Sequence, residues 1–280
     1  MHKNAGADAR HVHSLLASAM VDPVLLERWR HNPCALKKMG TRAAALDINK
    51  LWRFSGLATK VRHNDVRLIA PLTFKLLDYA GVSIELFAAY ARRADALRKD
   101  GKKSASEKLL SLSSFLSGWL DYSNPVHSLI WDLIRHESAI LELQTGAASQ
   151  PPVAGDSIFI EVSLRSTPIR RGTVIHHEMS CNPVELARKL RAGTNEIPLL
   201  PRGQYYFAYC QGSDSTRMKV LEIDAIGSVV IDLSDGHRTI GKMASLLHQA
   251  GIPLEAEDLS LAVRELVANG SLALGSSSGA

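Results

Sequence analysis

Residues 205–247 read YYFAYCQGSDSTRMKVLEIDAIGSVVIDLSDGHRTIGKMASLL, and the fold of the C-terminal half follows from them. Two runs rich in aromatic and apolar residues, Tyr205 to Cys210 and Met218 to Ile223, flank a Gly/Ser/Asp segment, which predicts a β-hairpin. Two helical segments follow, Ala225 to Leu233 and Ile240 to Gln249, each ended by a turn that contains glycine. The pattern changes from strand to helix within this stretch.

A third helical segment, Ala256 to Ala268, follows the first two, and the SLAL sequence after it can return as a strand. A hairpin followed by three short helices is the make-up of a winged-helix-like module, which we place at about residues 204–274. The last residues, 275–280, read GSSSGA, and their composition predicts a flexible tail.

The N-terminal half has a different pattern. From Ala7 to Leu143 nearly every segment has the apolar spacing of a helix, including one helix predicted from Asp65 to Ala80. Helix starts in which a capping side chain precedes proline occur at Asp22-Pro23, Asn32-Pro33 and Asn124-Pro125. These signals predict an all-helical domain at residues 1–144.

Thr145 to Asp156 reads TGAASQPPVAGD, and its small residues and consecutive prolines favour an extended connector. We therefore place a linker at residues 145–157 and an α+β domain at residues 158–274, which contains the winged-helix-like module. Ile158 to Leu164 and Thr173 to His177 look like short strands of that domain. The predicted fold class is α+β, with an all-helical domain followed by a smaller mixed α/β domain.

The composition is that of a globular protein, with 46% hydrophobic and 22% charged residues in a chain of 280. No stretch approaches the roughly 18 apolar residues that would cross a bilayer, and Met1 to Met20 lacks the apolar run of a signal peptide. We therefore expect a cytoplasmic protein without a membrane partner. The three cysteines, Cys34, Cys181 and Cys210, have no CxxC spacing, so we expect buried thiols.

Metal ligands could come from His176, His177, Glu178 and Cys181. Adjacent histidines on a strand point to opposite sides, however, and cannot readily share one ion. The phosphate-binding motifs GxxxxGK[ST] and GxGxxG are missing from the sequence, and its one GxSxG match lies in the GSSSGA tail rather than at a nucleophile elbow. We expect no catalytic residue, metal site or cofactor in this chain, while a metal-dependent enzyme centred on His176 and His177 stays an alternative.

Winged-helix modules often insert their third helix into DNA, and the net charge of +5 would suit nucleic acid. The third helix, DLSLAVRELVAN, has one arginine against Asp258 and Glu265, so it would neutralise little phosphate. We therefore expect no nucleic-acid partner. A winged-helix transcriptional regulator stays the alternative function.

An exposed hairpin edge can instead accept an extended peptide as an added strand, with main-chain hydrogen bonds providing affinity. Alternation on the second strand places Met218, Val220 and Glu222 on one face and Lys219, Leu221 and Ile223 on the other. We expect one of these rows to be core and the other partly exposed.

Several stretches resemble known families. EIDAIGSVVIDLSDGHRTIGKMASLL, from Glu222 to Leu247, resembles the RiPP recognition elements, winged-helix modules that bind leader peptides of ribosomally made, post-translationally modified peptides. Four upstream stretches resemble, in order, parts of the partner proteins of multinuclear non-heme iron-dependent oxidative enzymes: WRFSGLATKVRHNDVRLIAPLTFKLLDYAG (Trp52 to Gly81), FLSGWL (Phe115 to Leu120), LIRHESAILEL (Leu133 to Leu143) and EVSLRSTPIRRG (Glu161 to Gly172).

The resemblance covers most of the chain and extends to the partner subunits of methanobactin and 3-thiaglutamate biosynthesis, of which the latter is closer in length and layout. It implies a heterodimer in which an iron-dependent oxygenase, a separate polypeptide that holds the iron, modifies a cysteine of a precursor peptide. This chain would bind the leader of that peptide. By position, the resemblance implies a peptide-binding set of Met218, Lys219, Val220, Leu221, Glu222, Ala262, Arg264 and Glu265. Residues 7–40 have no counterpart in the general partner family.

Overall fold

A computed structural model describes residues 3–38, 45–62, 64–96, 104–146, 161–193, 197, 200–211 and 218–275 of the chain. Within these ranges the fold combines helices with two small antiparallel sheets, which confirms the predicted α+β class. The chain divides into two compact units, Met1–Leu120 and Asp121–Ala280.

The described residues of the first unit form helices and no strand. Ala19, Leu26 and Trp29 are buried together in one apolar cluster. The rings of Phe74 and Phe87 stack with their centroids 5.2 Å apart in another part of the core. The helices are α1 (Lys3–Val21), α2 (Pro23–His31), α3 (Pro33–Lys37), α4 (Ile48–Arg62), α5 (Asn64–Ile69), α6 (Pro71–Tyr79), α7 (Ser83–Ala96) and α8 (Ala105–Trp119).

The single helix predicted from Asp65 to Ala80 is wrong, because the chain breaks it at Pro71. Proline lacks an N–H and disfavours helical geometry in the residue before it. Ala70 accordingly has φ −128° and ψ 56°, and α6 starts afresh at Pro71. Gly81, with φ 72°, follows the end of α6, at the stop that the sequence predicts.

The second unit begins with a long helix and continues as a mixture of strands and helices. Its elements are α9 (Pro125–Gly146), β1 (Thr167–Arg170), β2 (Val174–Met179), α10 (Pro183–Ala192), β3 (Tyr205–Gln211), β4 (Met218–Ile223), α11 (Ala225–Leu233), α12 (Ile240–Gln249), α13 (Ala256–Ala268) and β5 (Leu272–Gly275). One sheet has the order β2-β3-β4, and the other pairs β1 with β5, all antiparallel. The predicted hairpin and the three helices after it are confirmed.

The strand predicted at Ile158–Leu164 is not found in its described part, because 161–164 form no strand; residues 158–160 lie outside the described ranges. The strand begins instead at Thr167, which pairs with Gly275 of β5. Gly275, predicted as the start of the tail, is therefore part of a sheet, while 276–280 lie outside the described residues. Pairing between segments this far apart cannot be predicted from local pattern.

Both faces of the three-stranded sheet are covered within the second unit. On one face, Ala208 and Cys210 of β3 join a core formed with α11, α12 and α13, to which Val230, Met243 and Val263 belong. On the other face, Phe207 and Tyr209 pack with residues of α9. The alternation of β3 explains this, since successive side chains point to opposite faces.

Helix α9 therefore belongs with the sheet. Its Ala139 and Leu143 are buried with Met179 and Tyr209, and the compact units divide after Leu120 rather than at the connector predicted at 145–157. Helical periodicity identifies the apolar stripe of α9 but not the surface that the stripe contacts. Thr145 and Gly146 are the last residues of α9, and 147–157 lie outside the described residues.

The cysteine prediction is correct for two thiols and wrong for one. Cys181 and Cys210 are buried, and Cys34 on the short helix α3 is exposed. Burial, followed by the nearby Asp132 carboxylate, raises the pKa of the Cys181 thiol to about 12. Cys181 is therefore a neutral thiol at physiological pH and a poor nucleophile or metal ligand.

Candidate functional site

Strand β4 is an edge strand of the described sheet, since its one neighbour there is β3. Each of its side chains packs against a neighbouring cluster or forms a hydrogen bond. Met218 and Val220 pack against the cluster that joins the sheet to α9. Leu221 and Ile223 pack against the core beneath α11, α12 and α13. The expectation that one row would be core and the other partly exposed is wrong, because the apolar side chains of both rows are partly buried against helices.

The two charged side chains of β4 contact neighbouring elements. Lys219 Nζ donates a hydrogen bond to the main-chain oxygen of Asn269, 2.9 Å away, at the C-terminal end of α13. Glu222 Oε2 accepts a hydrogen bond of 3.0 Å from Asn182 Nδ2, the N-cap residue of α10. Since these side chains already have partners, the groups best placed to bind a ligand along β4 are those of its main chain.

The three predicted residues of α13 do not share one face. Ala262 is partly buried against the core, whereas Arg264 and Glu265 are exposed. Because a helix turns about 100° per residue, Arg264 lies about 160° from Ala262, and Glu265 lies about 60° from it. A ligand beside one flank of α13 could contact Ala262 and Glu265 together but not Arg264. The structure thus keeps the β4 residues together and divides the α13 residues.

The exposed side of α13 is acidic. Its exposed charged residues include Glu257, Asp258, Arg264 and Glu265, which carry three negative charges against one positive charge. Phosphate groups would be repelled by this side of the helix. The charge imbalance predicted from the sequence, Asp258 and Glu265 against one arginine, is therefore present on the exposed surface of α13.

The start of α12 is occupied by the segment that precedes β1. Leu164 O accepts a hydrogen bond of 2.9 Å from Gly241 N, and Ser166 O accepts one of 3.1 Å from Ile240 N. Free N–H groups at a helix start are a common binding site for phosphate. Here two of those groups are satisfied by the chain itself.

His176 and His177 point to opposite faces of the sheet, as the strand pattern predicts. His176 Nδ1 lies 3.0 Å from Ser228 Oγ, and its Nε2 lies 3.0 Å from Asp232 Oδ1, both on α11. The His177 ring lies on the other face, 6.0 Å from the ring of Tyr209. Within the described ranges, no group of three or more His, Cys, Asp and Glu side chains could hold a metal ion.

Ser228, His176 and Asp232 have the composition of a hydrolase triad. Ser228 is buried between α11 and the sheet, however, where its hydroxyl contacts the imidazole rather than a surface open to substrate. Asp232 also lies 3.7 Å from Arg170 Nη2, and Arg170 Nε donates to Ile231 O at 2.9 Å. The network joins β1 and β2 to the end of α11, which is a structural role.

A buried polar contact lies on the α9 side of the sheet. His136 Nδ1 and the Tyr209 hydroxyl oxygen are 2.9 Å apart, and both residues are buried. Burial, followed by the positive charge of Arg191, lowers the pKa of His136 to about 4. Burial likewise lowers the pKa of His177 to about 4, with smaller contributions from Arg135, His176 and His136. Both imidazoles are therefore neutral at physiological pH.

One site was missed from the sequence. The buried carboxylate of Asp132 accepts hydrogen bonds from Arg135 Nη2 at 2.8 Å, from Ser180 N at 2.8 Å and from Ser180 Oγ at 2.6 Å. This network forms the floor of an open cavity of about 440 Å³. The one local signal is the spacing of Asp132 and Arg135 on α9, because Ser180 is 48 residues away.

Glu137 of α9 is also buried. Across the described helices, none is both long and apolar enough to cross a membrane. No model of a protein family matches the chain, and a search of curated proteins finds no match to its sequence.

Proposed function

We propose that this chain is a non-catalytic subunit that binds a ribosomally made precursor peptide and presents it to an iron-dependent oxygenase, which modifies a peptide cysteine. The observation that carries the proposal is the edge strand β4, whose side chains are packed or hydrogen-bonded while one edge of its main chain faces away from β3. The proposed ligand is the leader of the peptide, held as an added strand.

Strand addition suits β4 for a physical reason. In an antiparallel pair, alternate residues direct both N–H and C=O toward the same neighbour, so about half of a six-residue strand remains for a second partner. Met218–Ile223 could therefore make about six main-chain hydrogen bonds, each contributing about 1 kcal/mol. Both faces of β4 are supported by packed helices, so the strand is held in an extended form before a peptide arrives.

The order of elements also supports the proposal. The hairpin β3-β4 is followed by α11, α12 and α13, the order of the winged-helix modules that the stretch from Glu222 to Leu247 resembles. Lys219 connects β4 to the end of α13, so strand and third helix are adjacent at that point. Peptide contacts on α13 would come from one flank, with Ala262 and Glu265 the pair that can act together.

The partner would supply the redox chemistry. In this proposal the oxygenase holds the iron and acts on the peptide cysteine, and this chain contributes binding and placement within a heterodimer. Holding the leader at a fixed site raises the local concentration of the cysteine at the separate active site. Support for this partner comes from the four upstream stretches that resemble partner proteins of such oxygenases.

The strand-addition part is tested with peptides selected from a displayed random library on the full-length protein. A selected peptide should slow amide hydrogen exchange in Met218–Ile223. Its copy with N-methyl groups at alternate positions should lose about tenfold or more in affinity, because N-methylation removes main-chain donors. Equal affinity of the N-methylated copy, or protection confined to other elements, would contradict binding at β4.

The subunit part is tested by co-expression with an oxygenase of this class and a cysteine-containing precursor. Modification should require both proteins, and the two should purify together. Modification of the precursor by this chain unaided would end the proposal.

A second candidate function is DNA binding, because the same order of hairpin and three helices occurs in winged-helix regulators. The acidic exposed side of α13 and the occupied start of α12 weigh against it. Tight duplex binding that weakens steeply with salt would favour this alternative, and unmeasurable binding at low salt would remove it.

A further inference from the structure

The cavity above Asp132 lies at the edge of the sheet opposite β4. It is bounded by the N-terminal half of α9, the end of β2 and the segment before β3. Because β2 and β4 are the two outer strands of the order β2-β3-β4, the cavity is separate from the proposed peptide edge. Its volume of about 440 Å³ lies in the range of small-ligand sites. Its lining includes Tyr122, Trp131, Arg135, Glu178, Ser180 and Gln204.

The charged groups of the lining leave one negative charge. Asp132 and Arg135 form an ion pair at 2.8 Å, and the Asp132 side chain is 3% exposed, so these two charges offset each other. Glu178 is exposed, and its Oε1 accepts a hydrogen bond of 2.9 Å from the neutral amide of Gln204. Arg202, next to the lining, donates to Pro125 O at 2.9 Å and to Ser180 Oγ at 3.4 Å. Glu178 is the exposed carboxylate of the lining, and it can pair with a cation.

Aromatic rings provide a second feature that favours a cation. Tyr122 is 49% exposed and meets Trp131 edge to face, with ring centroids 6.3 Å apart. The guanidinium carbon of Arg135 lies 5.3 Å from the centre of the Trp131 ring, so this indole already stacks with one guanidinium. Aromatic faces beside a carboxylate attract ammonium and guanidinium groups.

Arg135 is held in place by the protein. Its Nη2 donates to Asp132 and, at 2.7 Å, to the main-chain oxygen of Glu178. Its Nε is enclosed and out of reach of a ligand in the cavity. The guanidinium therefore fixes the position of the Trp131 ring, and its charge is offset by Asp132.

We propose that this cavity binds the guanidinium of an arginine side chain presented by another polypeptide. The planar cation would pair with the Glu178 carboxylate and stack on the exposed ring of Tyr122. Arginine fits better than lysine, because its flat fork matches both a carboxylate and an aromatic face.

The probe is N-acetyl-arginine methylamide, titrated into the full-length protein and followed by the indole N–H signal of Trp131 in NMR spectra. A Trp131→Phe variant assigns that signal among the four tryptophans of the chain. We expect saturable binding of the arginine probe and at least about tenfold weaker binding of the uncharged citrulline analogue.

Glu178→Gln should weaken binding of the arginine probe at least about tenfold, since it removes the charge and keeps the shape. Glu142→Gln, on the exposed side of α9, is the matched control and should leave binding unchanged. Unchanged thermal unfolding of both variants shows that the cavity is intact. Absent binding, equal binding of the citrulline analogue, or equal effects of the two variants would each overturn the proposal.

Discussion

His136 Nδ1 and the Tyr209 hydroxyl lie 2.9 Å apart between α9 and β3, in a site where burial lowers the pKa of His136 from 6.5 to about 4. Because the folded pKa is lower than the unfolded one, the unfolded chain binds more protons between these two values. The contribution of His136 to the free energy of unfolding should therefore be fully present above about pH 6.5 and should be lost as the pH falls toward about 4.

The loss of stability from His136 between about pH 7.5 and about pH 5 should be about 2 kcal/mol, and His177 adds to it. Urea denaturation of the second unit at the two pH values measures it. His136→Gln should reduce the pH dependence, and His248→Gln, at an exposed position of α12, should not. A pH dependence that is the same in His136→Gln and the unmodified protein would contradict this assignment.

Tyr209→Phe should destabilise the second unit by about 1 to 2 kcal/mol, because it leaves the buried His136 imidazole without its hydroxyl partner. The change keeps the ring that packs with Met179 and Phe207, so the lost hydrogen bond dominates. Denaturant unfolding measures the difference. Tyr206→Phe, on the same strand and partly exposed, should change stability by less than about 0.5 kcal/mol. Equal effects of the two substitutions would show that the hydrogen bond between His136 and Tyr209 makes no net contribution to stability.

Local patterns predict much of the second unit. The hairpin follows from two apolar runs and a polar turn, and the starts of α11 and α12 are capped in the structure by side chains close in sequence. Asp224 accepts from Gly227 N at 2.6 Å, and Thr239 accepts from Lys242 N at 3.3 Å. These features are local because each depends on residues a few positions apart.

Features that depend on distant contacts were not predictable in the same way. The stripe of α9 indicates a buried face, but nothing near it in sequence specifies that Tyr209 covers it. The Asp132 network needs Ser180, and β1 needs β5, both far away in the chain. For the proposed peptide site, strand alternation placed the β4 residues on the correct two faces. The resemblance, which matches residues by position, instead put Ala262 and Arg264 in one set, although they lie on opposite sides of α13.

Asp132→Asn should destabilise the second unit by about 3 kcal/mol or more, because it leaves the Arg135 guanidinium partly buried without its charged partner. It also weakens the two hydrogen bonds from Ser180 that connect α9 to the end of β2. Thermal unfolding should show the loss, and Glu142→Gln on the exposed side of α9 should show almost none. A small effect of Asp132→Asn would mean that water or another group replaces the ion pair.

A side chain at Gly236, in the turn between α11 and α12, would be strained for two reasons. Gly236 has φ 79°, and a Cβ added there would lie 2.9 Å from Ile169 Cδ1 of β1. Gly236→Ala should therefore cost about 1 kcal/mol for the backbone conformation and more for the contact, since Ile169 must move.

Gly251→Ala is the matched control, because Gly251 has φ 77° and no atom within 4 Å of an added Cβ. It should show the conformational cost alone. Denaturant unfolding gives the loss of stability for each variant. The loss in Gly236→Ala minus the loss in Gly251→Ala measures the contact between β1 and the turn. The Gly236 N–H donates to Pro168 O at 3.0 Å, so loosening this packing should also speed amide exchange at Gly236. Equal destabilisation by the two alanines, with unchanged exchange at position 236, would mean that β1 does not restrict this turn.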